Sequence, residues 1–299
     1  MSSTSSIETE LECTAGIRGR SLWQDAWLRL HMNKAAIVSM AILVILAVAI
    51  VIGPWLSPYR FDQLDWQRTW APPSLANGYW FGTDSLGRDL LTRVLYGGRI
   101  SLLIGVVSTL VSLIIGVSYG AIAGYFGGRI DAVMMRIVDI LYAMPFMFFV
   151  ILLMVLFGRH IILIFVAIGA INWLDMARIV RGQTLSLKTT LFVEAARVAG
   201  CSGAQIIRRH IVPNLLGVVV VYVTLTIPQV ILVESFLSFL GLGVQPPATS
   251  WGVLVNEGAQ EMETAPWLLI FPASMLAVTL FCFNFIGDGL RDALDPKDR

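Results

Sequence analysis

Six long runs of this chain contain no charged side chain: Ala35 to Tyr59, Ile100 to Gly128, Ile140 to Gly158, Ile161 to Leu174, Ile211 to Val233 and Thr264 to Gly287. A bilayer core of ~30 Å takes about 20 residues of helix, and within it every backbone N–H must be paired inside its own segment. A soluble fold could not hide these runs. Of 299 residues 57% are hydrophobic and 14% charged, against roughly 25% charged in an average soluble domain. The expected fold class is therefore an all-α integral membrane protein with six transmembrane helices. The fourth run is the shortest, and its helix is expected to carry Asp175 and Arg178 at the membrane boundary, where long side chains reach water.

Positively charged segments resist translocation, so Lys and Arg set the orientation. With the N-terminus inside, fifteen of the 21 basic residues fall in inner segments, and Arg60, Arg68, Arg88, Arg93, Arg99 and Arg159 fall outside. Both termini are then expected in the cytoplasm. The first 20 residues are polar, with Glu8, Glu10 and Glu12, and predict no cleavable signal. The stretch Ser21 to Leu30 places Leu22, Trp23, Ala26, Trp27 and Leu30 on one helical stripe. It reads as a helix on the cytoplasmic surface, with Ser21 and Gln24 spaced as a capping box. Residues 1–34 thus form a cytoplasmic tail, 35–99 the first span with an external segment, 100–290 the core, and 291–299 a cytoplasmic tail. Outside, Gly82 to Leu102 predicts a turn and an amphipathic helix ahead of the second span. The acidic stretch Phe236 to Pro266 predicts a short helix at the interface, through Trp251, Leu254 and Val255.

Composition and motifs exclude several functions. A net charge of +1 with dispersed basic residues provides no face for nucleic acid. Cys13, Cys201 and Cys282 are too few and too scattered for a disulfide framework or a metal cluster. Two strings imitate serine hydrolases, GVSYG at Gly116 to Gly120 and GCSG at Gly200 to Gly203. The first lies inside a predicted span and the second in a basic loop, neither on the strand-to-helix turn a nucleophile needs. The histidines, His31, His160 and His210, supply no base to either serine. Lys34, Lys188 and Lys297 follow Asn33, Leu187 and Pro296, so no P-loop is present. No enzyme activity and no cofactor are expected. Asp139, Asp175 and Glu234 lie near span ends, where an ionisable group is either a functional candidate or a paired structural carboxylate.

The cytoplasmic loop 178–213 carries the strongest local signal. Thr190 can cap a helix running from Leu191 to Ala199, Gly200 can take the left-handed position that ends it, and Ser202 with Gln205 forms a second capping box. Pro213 follows. Two short helices around a glycine make a compact knob, of the kind a soluble motor could push.

This loop resembles the EAA loop of ABC importer permeases, in which EAA is followed by three residues, Gly, nine residues and Ile-x-Leu-Pro. Glu194, Ala195, Ala196, Gly200 and Pro213 match in register, while His210 and Val212 stand where Ile and Leu are usual. The strings GTDSLGRDLLTRVLYGGRISL from Gly82 and SFLSFLGLGVQPPATSWG from Ser235 resemble the C-type subunits of dipeptide, oligopeptide and nickel permeases, most of all the oligopeptide ones. The likeness runs from GRSLWQDAW near Gly19 to the ending GDGLRDALDPKDR. It implies a type I ABC importer fold and a permease role in oligopeptide uptake. The implied partners are a second homologous permease, two ATP-binding subunits and an extracytoplasmic peptide-binding protein. Glu194, Ala195, Ala196, Gly200 and Pro213 would couple to the ATPases. The alternatives are a dipeptide or nickel permease of the same architecture and, from another class, a proton-coupled secondary transporter. The latter would carry an inverted internal repeat, and none is visible in the sequence.

Overall fold

The computed structural model describes residues 22–158 and 161–294. The N-terminal tail, the Ser21 end of the expected capping box, Arg159, His160 and Lys297 lie outside these residues. Among the described residues the sole strand-like pairing is a bridge between Thr83 and Asp89. The rest is helix and connecting turn: α1 Leu22–Met32, α2 Lys34–Leu56, α3 Leu90–Phe126, α4 Gly128–Ala143, α5 Phe146–Phe157 and α6 Ile161–Leu187. These are followed by α7 Leu191–Val198, α8 Gly203–Ile206, a π turn Ile207–Ile211, α9 Val212–Phe239, α10 Trp251–Gln260 and α11 Trp267–Leu294.

Four continuous helical segments, Lys34–Leu56, Leu90–Phe126, Gly203–Phe239 and Trp267–Leu294, are long and apolar enough to cross a membrane. A fifth span results if α4 and α5, bent by 84°, count as one. Six runs therefore do not become six straight helices. The third run breaks at Met144 and Pro145, because proline lacks the N–H of a helical ladder and its ring disfavours helix in the residue before it. The fourth run forms only the first half of α6, which continues through Asp175, Arg178 and Arg181 to Leu187. What allows this continuation is charge supplied by α4. Arg181 pairs with Asp131 through Nε to Oδ1 at 2.5 Å and Nη2 to Oδ2 at 2.6 Å, and Arg178 Nη2 reaches Asp139 Oδ1 at 2.8 Å.

The expected turn and amphipathic helix before the second span are joined to that span as one helix of 37 residues. It starts where Asp89 accepts the Thr92 N–H at 2.8 Å, a side-chain cap, and stops at Gly127 with φ +65°. The centre of the molecule is the α3–α6 contact, which rests on Gly116, Gly120 and Gly124, spaced one turn apart. A Cβ at Gly116 would stand 2.6 Å from Met176 Cβ, one at Gly124 2.7 Å from Thr184 Cβ, and one at Gly120 would collide with the Ala177 carbonyl. In lipid, where apolar burial gains little between helices, such small residues allow the backbones close approach. The GVSYG string is thus a packing surface, and its Ser118 hydroxyl donates to Ile114 O within its own helix at 2.7 Å.

At the end of the molecule where the chain begins, α1 buries Ala26 and Leu30 against Ala36 and Ala293, while Trp27 remains 57% exposed. The helix expected there is present, but Trp27 does not share its buried face. At the opposite end, α10 is a helix as expected, yet Trp251 is fully buried, its indole N–H donating to Val94 O at 2.9 Å. It packs into protein rather than facing the interface.

Candidate functional site

The knob is present at the expected residues and its geometry is set by hydrogen bonds. Gly200 has φ +81°, and its N–H donates to Arg197 O while the Cys201 N–H donates to Ala196 O, both at 3.1 Å. This pair of bonds is a Schellman motif, which satisfies the last carbonyls of α7 and requires a left-handed residue at its centre. Two residues on, the Ser202 hydroxyl accepts the Gln205 N–H at 3.4 Å and Gln205 Oε1 accepts the Ser202 N–H at 2.8 Å, completing the capping box of α8. Thr190 stands at the start of α7, but its hydroxyl donates to Leu187 O at 2.6 Å instead of accepting a cap bond. The Leu187 carbonyl at the end of α6, which also takes the Thr190 N–H at 3.1 Å, competes for it.

Sequence-level reasoning treated Glu194, Ala195 and Ala196 as one unit, and the structure divides them. Val193 and Ala196 turn inward and, with Ile206, join a buried cluster containing Ala121 of α3, Met176 and Val180 of α6, and Leu215 and Val219 of α9. Glu194 and Ala195 face outward beside Leu191 and Val198, which are 84% and 90% exposed. Glu194 lies in the first turn of α7, where the helix dipole favours a carboxylate. The outer face is thus an apolar patch bearing one acid, and the inner face is clamped to three long helices. Pro213 lies just after the π turn Ile207–Ile211 within the helical run Gly203–Phe239, so the regular ladder is interrupted where the chain has no N–H to give. That turn leads directly into α9, so α8 and α9 form one continuous rod, with α7 set at an angle to it by Gly200.

The three carboxylates singled out from sequence have different surroundings. Asp139 takes Arg178, while Asp175 lines a cavity between α4, α6 and α9. Glu234 is fully buried, accepting hydroxyl bonds from Ser238 and Ser250 at 2.7 Å each and from Ser101 at 3.3 Å. Ser101 in turn accepts the Trp251 N–H at 3.1 Å, so Glu234 joins α3, α9 and α10. A cluster that the sequence pattern did not reveal lies nearby: Arg93, 2% exposed, donates to Asp84 at 2.5 Å and to Glu257 at 2.8 Å, and Arg88 donates to Asp84 at 2.7 Å. Arg93 and Glu257 are 164 positions apart, and no local periodicity reports such a pairing.

Comparison with known proteins places these features in context. Residues 116–299 match the family described as binding-protein-dependent transport system inner membrane component, and residues 21–73 match the N-terminal TM domain of oligopeptide transport permease C. The chain is 59% identical to the oligopeptide transport system permease protein OppC of Haemophilus influenzae, over 95% of this chain and 91% of the relative. It is 60% identical to the OppC of Escherichia coli K12, over 95% and 94%. The dipeptide transport system permease protein DppC of Bacillus subtilis is 49% identical over 93% and 87%. Among solved structures, a chain of the MetNI methionine ABC transporter in an inward-facing conformation superposes with TM-score 0.55 at 21% identity, covering 68% of this chain and 96% of the other. That likeness is one of fold.

Proposed function

The chain belongs to the family of binding-protein-dependent transport system inner membrane components, and from that membership we propose that it is one permease subunit of an ATP-driven importer of oligopeptides. The cargo rests on the relatives. Those named for oligopeptide transport reach 59% and 60% identity, against 49% for the dipeptide permease. The proposed partners are a second homologous permease, two ATP-binding subunits and an extracytoplasmic peptide-binding protein. Both termini lie in the cytoplasm in this reading. The domains are a tail over 1–34, a first span and external segment over 35–99, a core over 100–290 with the coupling loop 178–213, and a tail over 291–299.

The observation that carries the coupling role is the two-faced knob. Its outer face, Leu191, Glu194, Ala195 and Val198, offers an exposed apolar patch with one charge, the chemistry of a protein contact. Its inner face is packed against α3, α6 and α9. A displacement of the knob by an ATPase subunit therefore reaches the spans through close-packed side chains, which transmit strain instead of absorbing it. The turn at Gly200 keeps α7 and α8 at one angle, and the rod through Pro213 delivers the motion to α9. ATP binding by the partners favours one arrangement of the spans, and hydrolysis with release favours the other. The chain itself hydrolyses nothing in this scheme.

Reconstitution of the chain with its partner subunits in liposomes tests the proposal. ATP-dependent accumulation of radiolabelled tri- to pentapeptides is expected. Accumulation of nickel or of dipeptides alone would reassign the cargo, and uptake by this chain without ATPase partners would replace the proposal with a secondary transporter.

A further inference from the structure

A cavity of about 470 Å³ opens where α4 breaks, bounded by Tyr142 and Pro145 at the break, Phe149 of α5, Asn172 and Asp175 of α6, and Val233 of α9. Its size lies within the range of small-molecule sites. Asp175 is residue 15 of the 27 in α6, about 20 Å from either end of that helix at 1.5 Å per residue. No ion pair or hydrogen bond reaches its carboxylate from the described residues. Arg178, one turn further along α6, directs its guanidinium to Asp139 at 2.8 Å and over the Tyr142 ring at 4.3 Å. The Asn172 amide N–H2 donates to Ile168 O at 3.2 Å, which leaves its oxygen as an acceptor. Arg178 acts on Asp175 through space but directs its own contacts to Asp139 and Tyr142, so the carboxylate meets the cavity without a bonded partner among the described residues, and an ionisable group so placed near a membrane boundary is a functional candidate.

A second feature favours the same charge. The C-terminal end of α4, Leu141 to Ala143, lines the cavity. Leu141 O is taken by the Met144 N–H at 3.3 Å, but a helix stopped inside a membrane protein still presents its last carbonyls and the negative end of its dipole there, as broken transporter helices do at cation sites. Side chain and backbone both call for a positive ligand, and the apolar walls call for that ligand to carry hydrocarbon.

We propose that this cavity is a station in the transport path that binds a primary ammonium group, with Asp175 as its counterion and the carbonyl end of α4 and Asn172 Oδ1 as hydrogen-bond acceptors. The ammonium is that of a peptide N-terminus or of a lysine side chain; in naming a peptide, the inference rests on the import role proposed above. The site discriminates by charge and leaves the neighbouring side chain to apolar contact with Phe149 and Val233, so peptides of varied sequence fit.

The test uses the assembled membrane complex without its binding protein, and equilibrium binding of tri-alanine, N-acetyl-tri-alanine and N-acetyl-Ala-Lys-Ala. Tri-alanine is expected to bind, N-acetyl-tri-alanine to bind at least tenfold more weakly, and the lysine peptide to regain affinity only if a side-chain ammonium also fits. In Asp175→Asn the tri-alanine Kd is expected to rise about tenfold or more, the loss of a desolvated charge partner, while N-acetyl-tri-alanine is unchanged. Asp175→Glu, which keeps the carboxylate, should keep the preference for the free amine. Thermal stability equal to wild type shows that the asparagine variant is folded; if it is not, the glutamate variant and the wild-type preference decide. Equal binding of the acetylated and free peptides by the wild type, or no binding of either, overturns the site. Failure of the wild-type complex to accumulate any peptide with ATP would instead overturn the import role, and is measured separately.

Discussion

Arg181 and Asp131 meet in a two-point ion pair, Nε to Oδ1 at 2.5 Å and Nη2 to Oδ2 at 2.6 Å, that fastens the inner half of α6 to α4. Asp131 is nearly buried, and Arg181 is about one third exposed, so the pair is neither fully screened nor fully desolvated. Removing either member alone is expected to destabilise the purified protein by about 1 to 3 kcal/mol, the cost of an orphaned charged group. The exchange Asp131→Arg with Arg181→Asp should recover part of that. Thermal unfolding of the two single variants and the double variant measures it; additive losses would show that the pair contributes nothing as a pair.

The glycine stripe predicts a contrast between two substitutions of the same chemistry. Gly120→Ala drives a methyl into the Ala177 backbone, whereas Gly182→Ala on α6 meets nothing within 4 Å. The first should cost about 1 to 3 kcal/mol of overpacking, and the second should be neutral or mildly stabilising through helix propensity. Equal melting temperatures for the two variants would contradict the packing assigned to α3 and α6.

Glu234 accepts from three hydroxyls that are all buried. Glu234→Gln keeps one acceptor oxygen and should be the milder change. Glu234→Ala leaves Ser101, Ser238 and Ser250 short of a partner, at about 1 to 3 kcal/mol for a buried group left unpaired. The ranking is read from unfolding midpoints in detergent, and the reverse order would show that the carboxylate is a burden on the fold.

Much of this was legible in the sequence, because the bilayer imposes a length and a polarity that a run of residues either meets or fails. The knob was legible too. Gly200 and the Ser202 to Gln205 spacing are local chemistry, fixed within a few residues. What the sequence left open has a different cause. The extension of α6 depends on Asp131 and Asp139, 50 and 39 positions before their arginines. The burial of Trp251 depends on Val94, 157 positions away. The inward turn of Ala196 depends on α3, α6 and α9 meeting beneath it. Each is a tertiary contact, and a linear pattern carries no record of which distant charge or surface will arrive.

The proposed topology makes a prediction that needs no partner. After removal of the native cysteines, single cysteines at Ala76 and Ala259, both exposed in the structure, should react with impermeant thiol reagents in spheroplasts. Cysteines at Ser2 and Lys297 should react only after lysis. Labelling of Ser2 or Lys297 positions from outside would invert the orientation and move the knob away from any cytoplasmic ATPase.

The most direct test of coupling through the knob compares Gly200→Val with Gly200→Asn. No neighbour lies within 4 Å of the added Cβ, so both side chains have room and differ in tolerance of φ +81°. Asparagine visits that region readily, while a β-branched residue there carries roughly 1 to 3 kcal/mol of strain, relieved only by re-angling α7 against α8. The measurement is ATP-driven peptide uptake by the reconstituted complex, with Glu194→Lys alongside and co-purification of the ATP-binding subunits as a second readout. The account predicts wild-type membrane levels throughout, uptake and association retained in Gly200→Asn, and both lost in Gly200→Val and Glu194→Lys. Full assembly and wild-type uptake in Gly200→Val or Glu194→Lys would contradict it, and the coupling role of Glu194 and Gly200 would be withdrawn.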